Sequence, residues 1–298
     1  MFRVIFGEDK RIFDLKFSLI VPFHNNADED RRDMLNVLLR SLPDRGDLEV
    51  IFVDDHSSLE WSPSVVFKKT KVTVLKNSPD RKFAGTARNT GLENAKGEFV
   101  FFADSDDYFT DVLDDFLDFI LSDNSHDVYG FLTTSVFQDG SLGTRHVDIC
   151  KKMESVEQDR DGLGLCTIHV PFGKVIRRDL IEKNALRFSD SRASNDSVFS
   201  VSLGLLKPSF AFSNKVCYVV RQGNPSLTTR KSPEIVKARL RIAREVNELY
   251  KRNGYWWRQR PIIKIYKQHF AQSNTTIFKD AFLLPLSHPS EIVFLLGS

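Results

Sequence analysis

Several protein classes are excluded by what this sequence lacks. Its 298 residues hold three cysteines, Cys150, Cys166 and Cys217, odd in number and never spaced C-x-x-C. That argues against a disulfide scaffold and a cysteine zinc site, and favours a reducing compartment. No run approaches the roughly 18 apolar residues of a membrane span. Glu8 and Asp9 fall where a signal peptide needs an apolar stretch. The formal net charge is only +2, so no overall basic excess calls for nucleic acid as a partner. The histidines show no H-E-x-x-H spacing. No internal repeat or low-complexity tract is present. Secreted, collagen-like and integral-membrane readings are set aside.

What is present fits a globular protein: 41% hydrophobic and 28% charged residues, enough for one large α/β domain or two ordinary ones. Phe17-Ser-Leu-Ile-Val21 predicts a strand buried on both faces, closed by Pro22. The spacing of Met34, Leu35, Leu38, Leu39 and Leu42 predicts a helix over 28–42, with Asp28 or Asp30 as its cap. Strands are predicted at 48–53, 71–75 and 98–103, and helices at 86–95 and 112–121, with Gly97 ending the former. This alternation implies a mostly parallel sheet with right-handed crossovers over 17–125. From 126 to 228 the pattern is mixed. Strands are predicted at 128–136 and 216–220, a polar loop or short helix at 148–161, and helices at 179–184 and 196–206. From Pro233 the pattern is helical. Arg230–Lys267 carries twelve Lys/Arg against three Glu, together with Tyr255, Trp256 and Trp257.

In an open parallel sheet, ligands bind beyond the carboxyl ends of the strands. Three such ends carry polar clusters: Pro22-Phe-His-Asn25, Asp54-Asp-His-Ser57 and Asp104-Ser-Asp-Asp107. Gathering acids at one edge is unfavourable unless a cation or hydrogen-bond donors offset their repulsion. A hard divalent ion, with substrate phosphates completing its shell, is the natural partner.

The segments Val21-Pro-Phe-His-Asn25, Val53-Asp-Asp-His-Ser57, Gly85-Thr-Ala-Arg-Asn-Thr-Gly91, Ala95-Lys-Gly-Glu98 and Asp104-Ser-Asp-Asp107 resemble, in order and spacing, the motifs of family 2 nucleotide-sugar glycosyltransferases. The resemblance continues through Phe172–Leu180, Leu186-Arg-Phe188, Asn195–Phe199 and Tyr218-Val-Val-Arg221 with Ser226-Leu-Thr228, and covers about 17–228. It implies an α/β GT-A fold, a Rossmann-like, mostly parallel sheet flanked by helices, with a C-terminal helical extension. Residues 1–125 would form the donor half, 126–228 the acceptor half of the same domain, and 229–298 the basic extension. Asp55 would accept a hydrogen bond from the base, and Pro22 and Phe23 would line the base pocket. Arg88 would approach the nucleotide, Asp104 the ribose, and Asp106 would hold Mn²⁺ or Mg²⁺ on the donor diphosphate. Asp196 falls at the general base. Departures from the family pattern are His24 for tyrosine, His56 for glycine, and Asn195 for an acid.

Each residue also has a plainer reading. Asp54 and Asp55 could cap the following segment, Asp104–Asp107 could form a solvated turn, and Arg88 could pair with Glu93. Asp196 could be only a helix N-cap, with Asp190 the next candidate base. Lys174 reads as a structural partner, and Phe99, Phe101 and Phe102 as core. The functional expectation is inverting transfer of a single sugar from a nucleoside diphosphate sugar, UDP first, to a hydroxyl of a glycan or lipid-linked acceptor in surface polysaccharide assembly. The alternatives are a sugar-phosphate phosphatase or nucleotidyltransferase, and a non-catalytic carbohydrate-binding relic. The expected location is cytoplasmic, with peripheral docking of the basic segment on the inner membrane face.

Overall fold

The computed structural model describes residues 14–25, 29–159, 162–223, 232–260 and 262. The caps expected from Asp28 and Asp30, the Ser226-Leu-Thr228 motif, the N-terminal ten residues and the outer parts of the basic segment lie outside the described side chains.

Strands β1 (Phe17–Phe23), β2 (Leu48–Asp54), β3 (Lys71–Lys76) and β4 (Phe99–Phe102) alternate with helices α1 (Glu29–Arg40) and α2 (Phe83–Asn94). The chain continues through β5 (Tyr108–Phe109), α3 (Val112–Asp123), β6 (Val128–Phe137), α4 (Arg145–Asp159), β7 (Lys174–Arg177), α5 (Arg178–Lys183), α6 (Ser197–Leu205) and β8 (Phe210–Gln222). One sheet runs in the order β3-β2-β1-β4-β7-β6-β8-β5. The first four strands are parallel, β7 runs antiparallel to both its neighbours, β6 and β8 are parallel, and β5 is antiparallel to β8.

Strand β1 is buried at every position. Phe17, Leu19, Val21 and Phe23 join one apolar layer with Leu35, Leu38 and Leu39 of α1 and Leu113, Phe116 and Leu117 of α3. Ile20 joins the opposite layer with Ala87 and Leu92 of α2 and Phe199 and Leu203 of α6. The period of two thus sends both faces into core, which is why the strand reads as a continuous apolar run. Phe99 and Phe101 lie in the first layer and Phe102 in the second, so all three are core residues.

Three differences between the sequence reading and the structure stand out. Of the stretch 148–161, expected as a polar loop or short helix, residues 148–159 lie in a fifteen-residue helix, α4, anchored by buried Met153 and Val156. Strands β5 and β7 were not expected. Each is very short, and neither shows alternation, so only their neighbours in the sheet define them.

The chain forms two compact units: the first runs to Asp190 and resumes at Asn195, and the second takes Ser191–Ser194 and the C-terminal part. In the second, α7 (Pro233–Arg252) begins with Pro in its first turn and buries Ile235, Val236, Leu240, Ile242, Ala243, Val246 and Tyr250. Gly254, at φ +80°, follows it. Tyr255 N donates to Tyr250 O at 2.8 Å and Gly254 N to Lys251 O at 3.1 Å, the paired bonds of a Schellman ending. No helix among the described residues is long and apolar enough to cross a membrane.

Candidate active site

The site begins where the sheet splays. β1 pairs with β2 as far as Phe23 but with β4 only as far as Ile20. Pro22, which has no N–H to donate, therefore sits beyond the point where β4 has left, a local edge inside the sheet. Past it the chain is tied to the next strand end. Asp55 N donates to Phe23 O at 2.8 Å, and His24 Nδ1 donates to Asp55 O at 2.6 Å. Pro22 and Phe23 are both buried; the Phe23 ring packs edge-on against Trp61 at 5.5 Å.

Asp54 and Asp55 have separate tasks. Asp54 accepts the Ser57 N–H at 2.8 Å and so caps the turn, as the plain reading expected. Asp55 instead takes Asn77 Nδ2 at 2.9 Å, while Thr90 Oγ donates to Asn77 Oδ1 at 2.8 Å. Asn77 is buried and orients Asp55, yet a lone Asn after a strand offers no sequence signal. His56 occupies the left-handed region at φ +61°, which explains why glycine suits this position. Its Nε2 donates to Arg81 O at 2.7 Å.

Arg88 of α2 joins distant segments. Its Nη2 meets Asp104 Oδ1 at 2.6 Å, and its Nη1 meets Asn195 Oδ1 at 3.1 Å. The guanidinium lies 5.4 Å from the centre of the Phe188 ring. Glu93 pairs with Arg81 instead, so the Arg88–Glu93 reading is not what the fold forms. Asn195, where the family pattern has an acid, contacts that same guanidinium. α2 reaches this segment through Gly85: a Cβ there would lie 2.4 Å from Ser189 O and 2.8 Å from Asn195 Cβ.

The three acids after β4 are also divided. Asp104 pairs with Arg88. Asp107 is buried, accepting Tyr218 Oη–H at 2.9 Å and Arg221 N–H at 2.8 Å. Burial and the neighbouring charges of Asp106 and Asp104 raise the Asp107 pKa well above the usual carboxylate range. Asp106 is the exposed member. Among the described residues no three His, Cys, Asp or Glu side chains converge as a metal cage. One hard oxygen donor at the crevice fits an ion that takes its remaining ligands from a diphosphate and water, and does not fit one held by protein alone.

Asp196 stands at the N-cap position of α6, but its side chain makes no capping bond. The plain N-cap reading therefore fails. Burial pushes its pKa up to about 6, against the lowering pull of Arg88 and Lys174. Lys174 is fully buried, with Nζ donating to Val170 O at 2.6 Å and Ile168 O at 3.3 Å. Burial pulls its pKa down to about 7, and the charge of Asp196 opposes that shift. Asp55, Arg88, Asp104 and Asp106 thus stand at the strand ends or on α2, and Arg88 ties Asp104 to the segment bearing Asp196. Phe23 is the predicted site residue whose side chain is committed to the core.

The family model described as Glycosyl transferase family 2 matches residues 18–184. Poly(ribitol-phosphate) beta-N-acetylglucosaminyltransferase TarP of Staphylococcus aureus is 27% identical over 202 residues, covering 62% of this chain and 56% of TarP. This chain therefore spans little more than half of that relative. An uncharacterized glycosyltransferase of Haemophilus influenzae is 26% identical over 222 residues, covering 72% of this chain and 82% of that protein. The structure of S. aureus TarS 1-349 in complex with UDP-GlcNAc is similar in fold, with a TM-score of 0.59 at 22% identity, over 95% of this chain and 80% of that one.

Proposed function

This chain belongs to glycosyltransferase family 2, and from that premise we propose that it transfers a single sugar, with inversion, from a nucleoside diphosphate sugar to a hydroxyl of a glycan or lipid-linked acceptor. The observation that carries this reading is the Asp104–Arg88–Asn195 connection, which joins the acidic strand end to the segment bearing a non-capping, high-pKa carboxylate, Asp196. The donor is taken as a UDP-sugar because TarP is named an N-acetylglucosaminyltransferase and the TarS structure holds UDP-GlcNAc. Poly(ribitol-phosphate) and related surface polymers are the corresponding acceptor class.

Asp55, held by Asn77, receives the base, and Asp104, held by Arg88, receives the ribose. Asp106 would hold Mn²⁺ or Mg²⁺ against the diphosphate. A bound divalent ion supplies positive charge that offsets what develops on the leaving group. Asp196 is ionised at neutral pH yet holds a proton more tightly than an ordinary carboxylate, which suits a general base. It takes the acceptor hydroxyl proton while that oxygen attacks the anomeric carbon. The bond to the diphosphate breaks on the opposite face, its electron pair leaves with the diphosphate, and the anomeric configuration inverts in one displacement.

The second unit supports a membrane contact. Trp256 and Trp257 are 58% and 60% exposed and meet edge to face at 5.8 Å. Lys251, Arg252, Arg258 and Arg260 flank them in sequence. Trp favours the membrane interface, and basic residues favour anionic lipid. The proposed location is the cytoplasmic face of the membrane, where a lipid-linked acceptor would be reached.

The test is acceptor-dependent release of the matching nucleoside diphosphate from a panel of UDP-, GDP- and dTDP-sugars, with and without Mn²⁺, and assignment of the product anomer by NMR. Acceptor-stimulated UDP release giving the inverted anomer is the expected result. Release of inorganic phosphate from sugar phosphates, or donor binding without turnover, would sink the reading.

A further inference from the structure

The loop from Asp104 to Asp107 has one internal backbone bond, Asp107 N to Asp104 O at 3.2 Å. Its shape is imposed largely by Tyr218, more than a hundred residues later on β8. The Tyr218 hydroxyl oxygen accepts the Asp104 N–H at 2.9 Å. Its own proton must then point elsewhere, and it is donated to Asp107 Oδ2 at 2.9 Å. Arg221 N–H donates to the other Asp107 oxygen at 2.8 Å. Both oxygens of the buried carboxylate are thus occupied by β8, a backbone donor on one side and the phenol on the other.

The phenol has little freedom to move. Its ring is fully buried, stacked on Phe172 at 4.9 Å and 21°, and met edge-on by Phe109 at 5.0 Å. The backbone adds a second tie. Tyr108 and Phe109 pair antiparallel with Val219 and Tyr218, and Thr110 N donates to Cys217 O at 3.0 Å. The only hydroxyl that spans both ends of the acidic loop is therefore, among the described residues, held by packing on two sides.

We propose that Tyr218 is a positioning residue for donor and metal. By accepting from Asp104 and donating to Asp107, it holds Asp107 in the interior, leaves Asp104 in register with Arg88, and presents Asp106 at the crevice. The D-S-D-D run is then not three interchangeable ligands but one ribose-side carboxylate, one metal-side carboxylate and one anchor. This inference rests on the transferase reading above for its ligands. Its own content is the assignment of the hydroxyl as the loop's organiser. Phenylalanine fills the same space but can neither accept from Asp104 nor donate to Asp107.

Tyr218→Phe tests it directly. The measurements are thermal melting, calorimetric binding of UDP with and without Mn²⁺, and the Mn²⁺ activation constant for transfer. The expected result is a folded protein whose Mn²⁺-dependent UDP affinity falls at least ~10-fold and whose Mn²⁺ activation constant rises in step. A purely structural role would lower the melting temperature and leave the activation constant where it was. A folded variant whose affinity and activation constant stay within threefold of the parent overturns the proposal. If Tyr218→Phe does not fold, Phe172→Leu loosens the ring while keeping the hydroxyl. It is expected to raise the Mn²⁺ requirement several-fold, and an unchanged requirement in that folded variant overturns the proposal equally. A parent that binds Mn²⁺–UDP but transfers nothing would sink the transferase reading alone, since the binding readout still judges Tyr218.

Discussion

Asp196 begins a helix it does not cap, and this separates two readings that share one position. A capping Asp tolerates Asn, because the two residues cap about equally well. A general base does not. Asp196→Asn is expected to fold, to bind UDP and metal nearly as the parent does, and to lose transfer by at least ~10²-fold. In the parent, kcat/KM should rise about tenfold per pH unit and level off above about 6, where the carboxyl is ionised. An acid whose folded pKa is raised adds stability below its ordinary value near 4, and that stability is lost as pH rises through about 6. Asp196→Asn should therefore melt no lower than the parent at pH 8. A clear drop in melting temperature at that pH would mean the carboxylate is structurally needed. His56 offers a second residue-scale test. Its φ of +61° costs about 1–2 kcal/mol in a side chain with a Cβ. Its bond to Arg81 O returns about 0.5–1.5 kcal/mol. His56→Gly should thus change stability by no more than ~1.5 kcal/mol in a denaturant titration, and a larger loss would mean the imidazole does more than hold the turn.

Among the elements, α2 does most to assemble the site, and it does so by close approach. Gly91 lies on β1, where a Cβ would meet Ile20 Cγ2 at 2.3 Å, and Gly85 lies on the Ser189–Asn195 side. Between them Arg88 is carried to Asp104 and Asn195. Gly85→Ala must displace backbone, since the nearest atom is the Ser189 carbonyl oxygen at 2.4 Å. The expected cost is about 1–3 kcal/mol of stability, with transfer reduced at least tenfold as the Asp196 segment shifts. Parent-like turnover in this variant would show that the helix does not set the base. The glycine motif was visible in the sequence, but its reason was not: no local pattern reveals which backbone a glycine will face.

For the whole molecule, the charge balance is uneven. The described part of the second unit, 232–260, carries eight Lys/Arg against three Glu, and its two tryptophans are exposed. Each basic residue near an anionic surface contributes about 1 kcal/mol, weakened by salt. The protein is expected to sediment with phosphatidylglycerol vesicles at low salt and not with phosphatidylcholine vesicles. Replacing Trp256 and Trp257 by Ala should weaken that binding at least tenfold. Equal sedimentation with both vesicle types, or light scattering that shows self-association through the tryptophans without vesicle binding, would count against docking.

The sequence by itself determined the parallel first half and its acidic edge. Buried parallel strands must be continuous apolar runs, and their polar ends are where such a run stops. Phe17–Val21, Leu48–Val53 and Glu98–Ala103 announce themselves locally, and so do Asp55, Asp104 and Asp106. Only the tertiary structure decided how the acids divide their work. Asp104 answers to Arg88, Asp107 to Tyr218 and Arg221 N, Asp55 to Asn77, and Asp196 to burial rather than to its helix. Strands β5 and β7 belong to the same class, because two to four residues become a strand only when a neighbour supplies the hydrogen bonds. The physical reason is common to all of them. Periodicity is a local property written along the chain, whereas a side chain's partner, charge state and exposure depend on residues that folding brings from a hundred positions away.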